Sequence, residues 1–116
     1  MRARINRIVG VYELSPTESW DAWQAGDATI IDVREAGEHV QAHVPGIALI
    51  PMSEIQQRVD ELPDGPLIIM CHSGSRSAQV ALWLEGLGNH GDVANLDGGI
   101  VGWTNEGLPV ETGSAD

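Results

Sequence analysis

Cys71 is the single cysteine of the chain, and it opens the run Cys71-His72-Ser73-Gly74-Ser75-Arg76-Ser77. A thiol becomes a nucleophile when it ionises, and the thiolate is favoured where backbone N–H groups and a helix N-terminus converge on it. The surrounding sequence supplies both. Pro66-Leu67-Ile68-Ile69-Met70 reads as a buried strand, Gly74 permits a tight curl, and Ser77 to Leu84 reads as a helix starting where the curl ends. The sulfur is then expected at the carboxyl end of a strand, where open α/β sheets place their ligands. A lone cysteine is as often a small buried hydrophobe without chemistry. Here polar and flexible residues follow it, and Arg76, five positions on, can offset negative charge. Ser73, Ser75 and Ser77 taken singly read as loop residues or a helix N-cap; their convergence with Cys71 and Arg76 favours a reactive loop.

The elements that must position this loop alternate between helix and strand. Ser15-Pro16-Thr17-Glu18 carries a capping box with proline at the first helical position, so a helix is expected from there to Gly26. Its Trp20 and Trp23 share a face and read as core anchors rather than a cofactor stack. Ala28 to Val33 reads as a central strand despite Asp32, and Glu35 to Ala42 as a short helix. A turn at His43-Val44-Pro45-Gly46 leads to a short strand at Ala48 to Ile50. Ser53-Glu54-Ile55-Gln56 has the form of a second capping box, which predicts a helix to about Leu62. Val93 to Leu96 reads as the last strand, and Asp97-Gly98-Gly99 turns into a short helix around Trp103. This order predicts one α/β domain, residues 8–110, with a central parallel sheet flanked by helices on both faces. Residues 1–7 and 111–116 are expected as flexible ends.

Length and charge bound the function. At 116 residues the chain is the size of one compact domain and can bury a core without disulfides. A single cysteine forms no intrachain disulfide, and a free thiol is most at home in a reducing compartment, so a cytoplasmic location is expected. Arg2, Arg4 and Arg7 precede only a short apolar stretch that Glu13 ends, so no signal peptide is expected. No apolar run is long enough for a membrane span. The formal charge is −11, from 17 acidic residues against six arginines. Such a surface repels nucleic acid and anionic lipid. An anionic substrate must then find local positive potential, from Arg76, the loop amides and the helix terminus.

Four segments in order resemble single-domain rhodaneses, the sulfurtransferases of the rhodanese homology domain. Ile31-Asp32-Val33-Arg34-Glu35 is similar to the family's Asp-Val-Arg signature, and Glu38 through His43-Val44-Pro45-Gly46 to Ile50-Pro51 to its second stretch. Cys71 to Ser77 resembles the catalytic loop, and Leu96-Asp97-Gly98-Gly99-Ile100 through Trp103 and Gly107-Leu108-Pro109-Val110 the closing segment. The resemblance implies the rhodanese fold and a double displacement. Cys71 takes the outer sulfur of a donor such as thiosulfate as a persulfide and passes it to a thiophilic acceptor. The acceptor would be cyanide in an assay, and thioredoxin or glutathione are candidates in the cell. His72, Ser73, Gly74, Ser75, Arg76 and Ser77 would bind the donor and the persulfide, Arg76 through the donor's anionic group. No metal or organic cofactor is implied. Phosphatases and arsenate reductases of related fold use a loop one residue longer; four residues between Cys71 and Arg76 favour sulfur over a tetrahedral oxyanion. The alternative to an enzyme is a carrier that holds persulfide sulfur for a specific partner and turns over thiosulfate poorly.

The remaining polar residues divide between site and scaffold. Asp32 and Arg34 are possible supporting residues of the site, although partners for partly buried charge favour a structural role. His43 reads as structural, since an ionised Cys71 needs no general base. His39 and His43 stand at i, i+4 spacing, but no second cysteine or carboxylate pair supports a metal there. His72, beside the thiol, either contacts the acceptor or is simply exposed.

Overall fold

The computed structural model describes residues 4–5, 10–88 and 90–113. Most of the expected flexible ends, 1–7 and 111–116, therefore lie outside the described residues, as does the stretch from Asn6 to Val9. Strands β1 (Arg4–Ile5), β2 (Tyr12–Leu14), β3 (Thr29–Asp32), β4 (Ala48–Leu49), β5 (Leu67–Met70) and β6 (Val93–Leu96) form one sheet in the order β1-β2-β6-β5-β3-β4. The pairings from β2 to β4 are parallel, and β1 adds an antiparallel edge. β5 is central and buried at all four positions, as its unbroken apolar sequence requires.

Helices α1 (Pro16–Gln24), α2 (Ala36–Gln41), α3 (Ser75–Leu87) and α4 (Gly99–Asn105) alternate with the strands. Because side chains of a strand point to opposite faces in turn, β5 feeds two cores. Leu67 and Ile69 join Ala78, Ala81 and Leu84 of α3 on one face. Ile68 and Met70 join Ala22 of α1 and Ile100 and Trp103 of α4 on the other. Trp20 and Trp23 pack against Trp103, with ring centroids 5.8 and 6.4 Å away, as core anchors. The Trp103 indole is fully buried, and its N–H donates to the Pro109 carbonyl at 2.8 Å.

The capping box at Ser15 is present in both directions: the Glu18 amide donates to Ser15 Oγ and the Ser15 amide to the Glu18 carboxylate. Ser15→Ala is expected to cost about 1 kcal/mol, read as a lowered urea midpoint with an unchanged slope.

Two expectations are corrected. The segment from Ser53 to Leu62 is not an α-helix but a series of turns ending in a 3-10 turn, Val59–Glu61. Ser53 Oγ donates to Glu35 Oε1 at 2.7 Å and so does not cap its own segment. Most of the backbone bonds there reach back three residues, while Arg58 ties Glu54 to Glu61. Ile55, Leu62 and Val59 nevertheless pack on the core. Helix α3 begins at Ser75, two residues before the expected Ser77, with Gly74 as its N-cap in the left-handed region at φ 111°.

Candidate active site

The site grows from the carboxyl ends of β5, β3 and β6. Cys71 follows β5 directly and is only 1% exposed. Its carbonyl accepts from the Ile100 amide at 2.9 Å, and the His72 carbonyl accepts from the Val101 amide at 3.1 Å. The first turn of α4 therefore holds the start of the loop by its oxygens, which leaves later amides to curl over the sulfur. This approach is possible only because residue 99 is glycine, at φ +58° and pressed against those two carbonyls.

Around Cys71 Sγ, the Gly74 amide donates at 3.1 Å and Ser77 Oγ lies at 3.2 Å. Burial pushes the thiol up, but hydrogen bonds from the Ser77 hydroxyl and from the amides of Ser77, Gly74 and Ser73 outweigh it, so the thiol lies below its ordinary value. The cradle thus favours a negatively charged sulfur.

The other expected residues take distinct positions. His72, Ser73 and Ser75 are exposed on the rim, and Gly74 and Ser77 are buried beneath it. Arg76 points to α2, where its guanidinium grips Glu38 with two bonds of 2.8 and 2.7 Å. Arg34 and Asp32 are buried together, joined at 2.8 to 3.1 Å. Arg34 also donates to the carbonyls of Glu38 and Ala42 at 3.3 and 2.7 Å, which holds α2 and its end beside the loop. His43 is buried, with Nδ1 3.0 Å from the His39 carbonyl, its ring stacked on His39, and its backbone paired with Glu111. Burial and the neighbouring His43 lower the His39 pKa.

Between α2, the loop and α4 runs a groove of about 470 Å³ lined by Arg34, Glu38, His72, Arg76, Val101 and Thr104 among others. Two of the chain's six arginines meet there, each paired with a carboxylate, Arg34 with Asp32 and Arg76 with Glu38. Cys71 is not among the lining residues: the groove passes along the loop rim, above the sulfur.

Glu38 was read only as part of a motif, and its partnership with Arg76 joins positions 38 residues apart. The Arg76 guanidinium holds its carboxyl down at about 2. Because this pKa is depressed, the pair's contribution to stability is present above the unfolded value near 4.5 and is lost as the pH falls toward 2. Wild type and Glu38→Gln are therefore expected to differ in thermal midpoint at neutral pH and to converge near pH 2, checked by melts across that range.

Asn95 and Glu13 were not read as site residues from the sequence. Asn95 is buried, accepts from Ser77 Oγ, and donates to Glu13 and to the Gly74 carbonyl. The available signal was a polar residue inside an otherwise apolar strand.

Comparison with known proteins agrees with this geometry. Residues 15–106 match the model of the Rhodanese-like domain. A sulfurtransferase of Allochromatium vinosum is 39% identical over 85 residues, covering 72% of this chain and 78% of that one. The thiosulfate sulfurtransferase GlpE of Actinobacillus succinogenes is 32% identical over 103 residues, covering 86% and 90%. The crystal structure of a rhodanese-related protein from Thermoplasma volcanium superposes with a TM-score of 0.76 at 28% identity, covering 85% of this chain and 96% of that one. A parallel sheet carrying a cysteine loop at its carboxyl end and a family match over most of the length lead to one conclusion: the chain belongs to the rhodanese-like sulfurtransferase family.

Proposed function

We propose that the protein is a thiosulfate sulfurtransferase in which Cys71 is the nucleophile. The observation that carries this reading is the Cys71 sulfur itself, buried at the end of β5 yet faced by the Gly74 amide and the Ser77 hydroxyl, with its pKa below the ordinary thiol value. The similarity to a thiosulfate sulfurtransferase over 86% of the chain supports the choice of donor.

The thiolate attacks the outer sulfur of thiosulfate, a new S–S bond forms at Cys71, and sulfite leaves with the electron pair of the broken bond. Ser77 and the loop amides stabilise the charge on sulfur before and after this step. An acceptor such as cyanide then attacks the outer sulfur of the persulfide, takes it as thiocyanate, and returns Cys71 to the thiolate. Arg76, partly exposed at the rim, is the cation an anionic donor can reach, whereas Arg34 is buried against Asp32. Glu38 tempers that charge by occupying Arg76, so donor binding is expected to compete with the ion pair.

Intact-protein mass spectrometry after incubation with thiosulfate tests the reading. One added sulfur, removed by cyanide, is the expected result. An unchanged mass overturns free thiosulfate as donor and favours a carrier loaded by a partner protein. No helix among the described residues is long and apolar enough to cross a membrane.

A further inference from the structure

Strand β6 is buried at every position, and one of its four side chains is polar. Asn95 stands opposite Glu13 of β2 in register, and its Nδ2 donates to both Glu13 oxygens at 3.1 and 2.9 Å and to the Gly74 carbonyl at 3.0 Å. A carboxylate only accepts, so the Asn95 amide has one orientation: Nδ2 faces Glu13 and Oδ1 faces Ser77. Ser77 Oγ has a single proton and three acceptors in reach, namely Cys71 Sγ, the Gly74 carbonyl and Asn95 Oδ1. The sulfur and the Asn95 carbonyl therefore compete for one hydrogen.

We propose that Glu13 and Asn95 are positioning residues for Cys71, and that they make the Ser77 hydroxyl a rotor with two resting positions. In one, Ser77 donates to Asn95 Oδ1 while its oxygen accepts the Cys71 S–H. In the other, it donates to the thiolate. When Cys71 loses its proton to solvent, the Ser77 proton turns from Oδ1 to Sγ. When sulfur is added, the charge moves to the outer atom, Sγ becomes neutral, and the proton turns back. No covalent bond other than the Cys71 S–H changes in this rotation. The inference rests on the reading of Cys71 as the nucleophile and adds what governs its ionisation.

The charged and titratable groups on the elements packed around the loop include Arg76 and His72 beside the sulfur, Asp32 and Arg34 at the end of β3, Glu38 and His39 on α2, Glu85 on α3, Asp97 after β6, Glu106 after α4, and Glu13 on β2 with Arg4 opposite it in register on β1. Glu13 differs from the others in being linked to the sulfur by two consecutive side chains, Asn95 and Ser77.

The test measures Cys71 ionisation, by thiolate absorbance and by the iodoacetamide alkylation rate against pH, in a double-mutant cycle on the full chain. Asn95→Asp sets a second carboxylate against Glu13; the two share a proton until it is lost as the pH rises, and the ionised side chain then outcompetes the sulfur for the Ser77 proton, which is expected to slow alkylation roughly tenfold. Ser77→Ala slows it as well, and in that background Asn95→Asp loses most of its effect. Glu13→Gln preserves shape and removes the charge that polarises the Asn95 amide, whose orientation the Gly74 carbonyl still holds; Oδ1 becomes a weaker acceptor and alkylation speeds, again only while Ser77 is present. Circular dichroism checks folding, and if Asn95→Asp does not fold, the Glu13→Gln pair decides. Equal effects with and without Ser77 would show charge acting through space and overturn the rotor, as would no effect of either variant. Because the readout is ionisation and not sulfur transfer, a failure here leaves the proposed activity standing, and a failed transfer assay leaves this cycle interpretable.

Discussion

Cys71→Ala is expected to abolish sulfur transfer completely while leaving the circular dichroism spectrum close to wild type and lowering the thermal midpoint by several degrees. The thiol belongs to the chain's single cysteine, so no second thiol can carry the persulfide in its place. The fold should tolerate the change, because the carbonyl that anchors the loop to Ile100 belongs to the backbone of residue 71 and survives the substitution. Removal of the sulfur leaves the Ser77 hydroxyl with Asn95 and Gly74 as acceptors, whereas the buried Gly74 amide loses its partner, a cost of about 1–3 kcal/mol. In the mass-spectrometric assay the variant should gain nothing from thiosulfate. Transfer near the wild-type rate would sink the assignment of the nucleophile.

Gly99→Ala should have the largest effect on stability of any single methyl added to the chain. At φ +58° an alanine already costs roughly 1–2 kcal/mol. Its Cβ would also overlap the carbonyl oxygens of His72 and Cys71, the latter at 2.5 Å, and neither backbone group can turn aside without breaking its bond to α4. A total loss above about 3 kcal/mol is expected. Whatever protein remains folded should be impaired in transfer beyond its loss of stability, because the loop has been pushed off its anchor. Gly107→Ala is the control: φ is +75° there, but no atom lies within 4 Å of the added carbon. Urea unfolding of the two variants separates backbone strain from overlap, and equal losses would remove the special role of the contact at Gly99.

The parts of the fold that could be read from sequence are those in which a local signal coincides with burial. The run at β5, the box at Ser15 and the glycines before α4 each state their conformation within a few residues. The segment from Ser53 to Leu62 misled for an instructive reason. Its capping residue was claimed by Glu35, 18 positions away, and no local pattern records such a competitor. β2 was missed because three residues hold too little alternation to signal a strand; its pairing with β6 supplies the order. The site divides in the same way. The loop is contiguous and could be read directly, whereas the Arg76 to Glu38 pair and the link from Ser77 through Asn95 to Glu13 exist only once distant strands and helices are adjacent.

The bonds from Ile100 and Val101 to the first two loop carbonyls carry a final consequence. In water, a sulfur that gains and loses charge must drag solvent dipoles around at every turn, and that reorganisation is a large part of the barrier. Here one of those dipoles is the His72–Ser73 peptide group, whose oxygen is already fastened to another helix, so its N–H cannot swing away when the charge departs. The polarisation is installed once, when the chain folds, and each catalytic cycle begins with it in place.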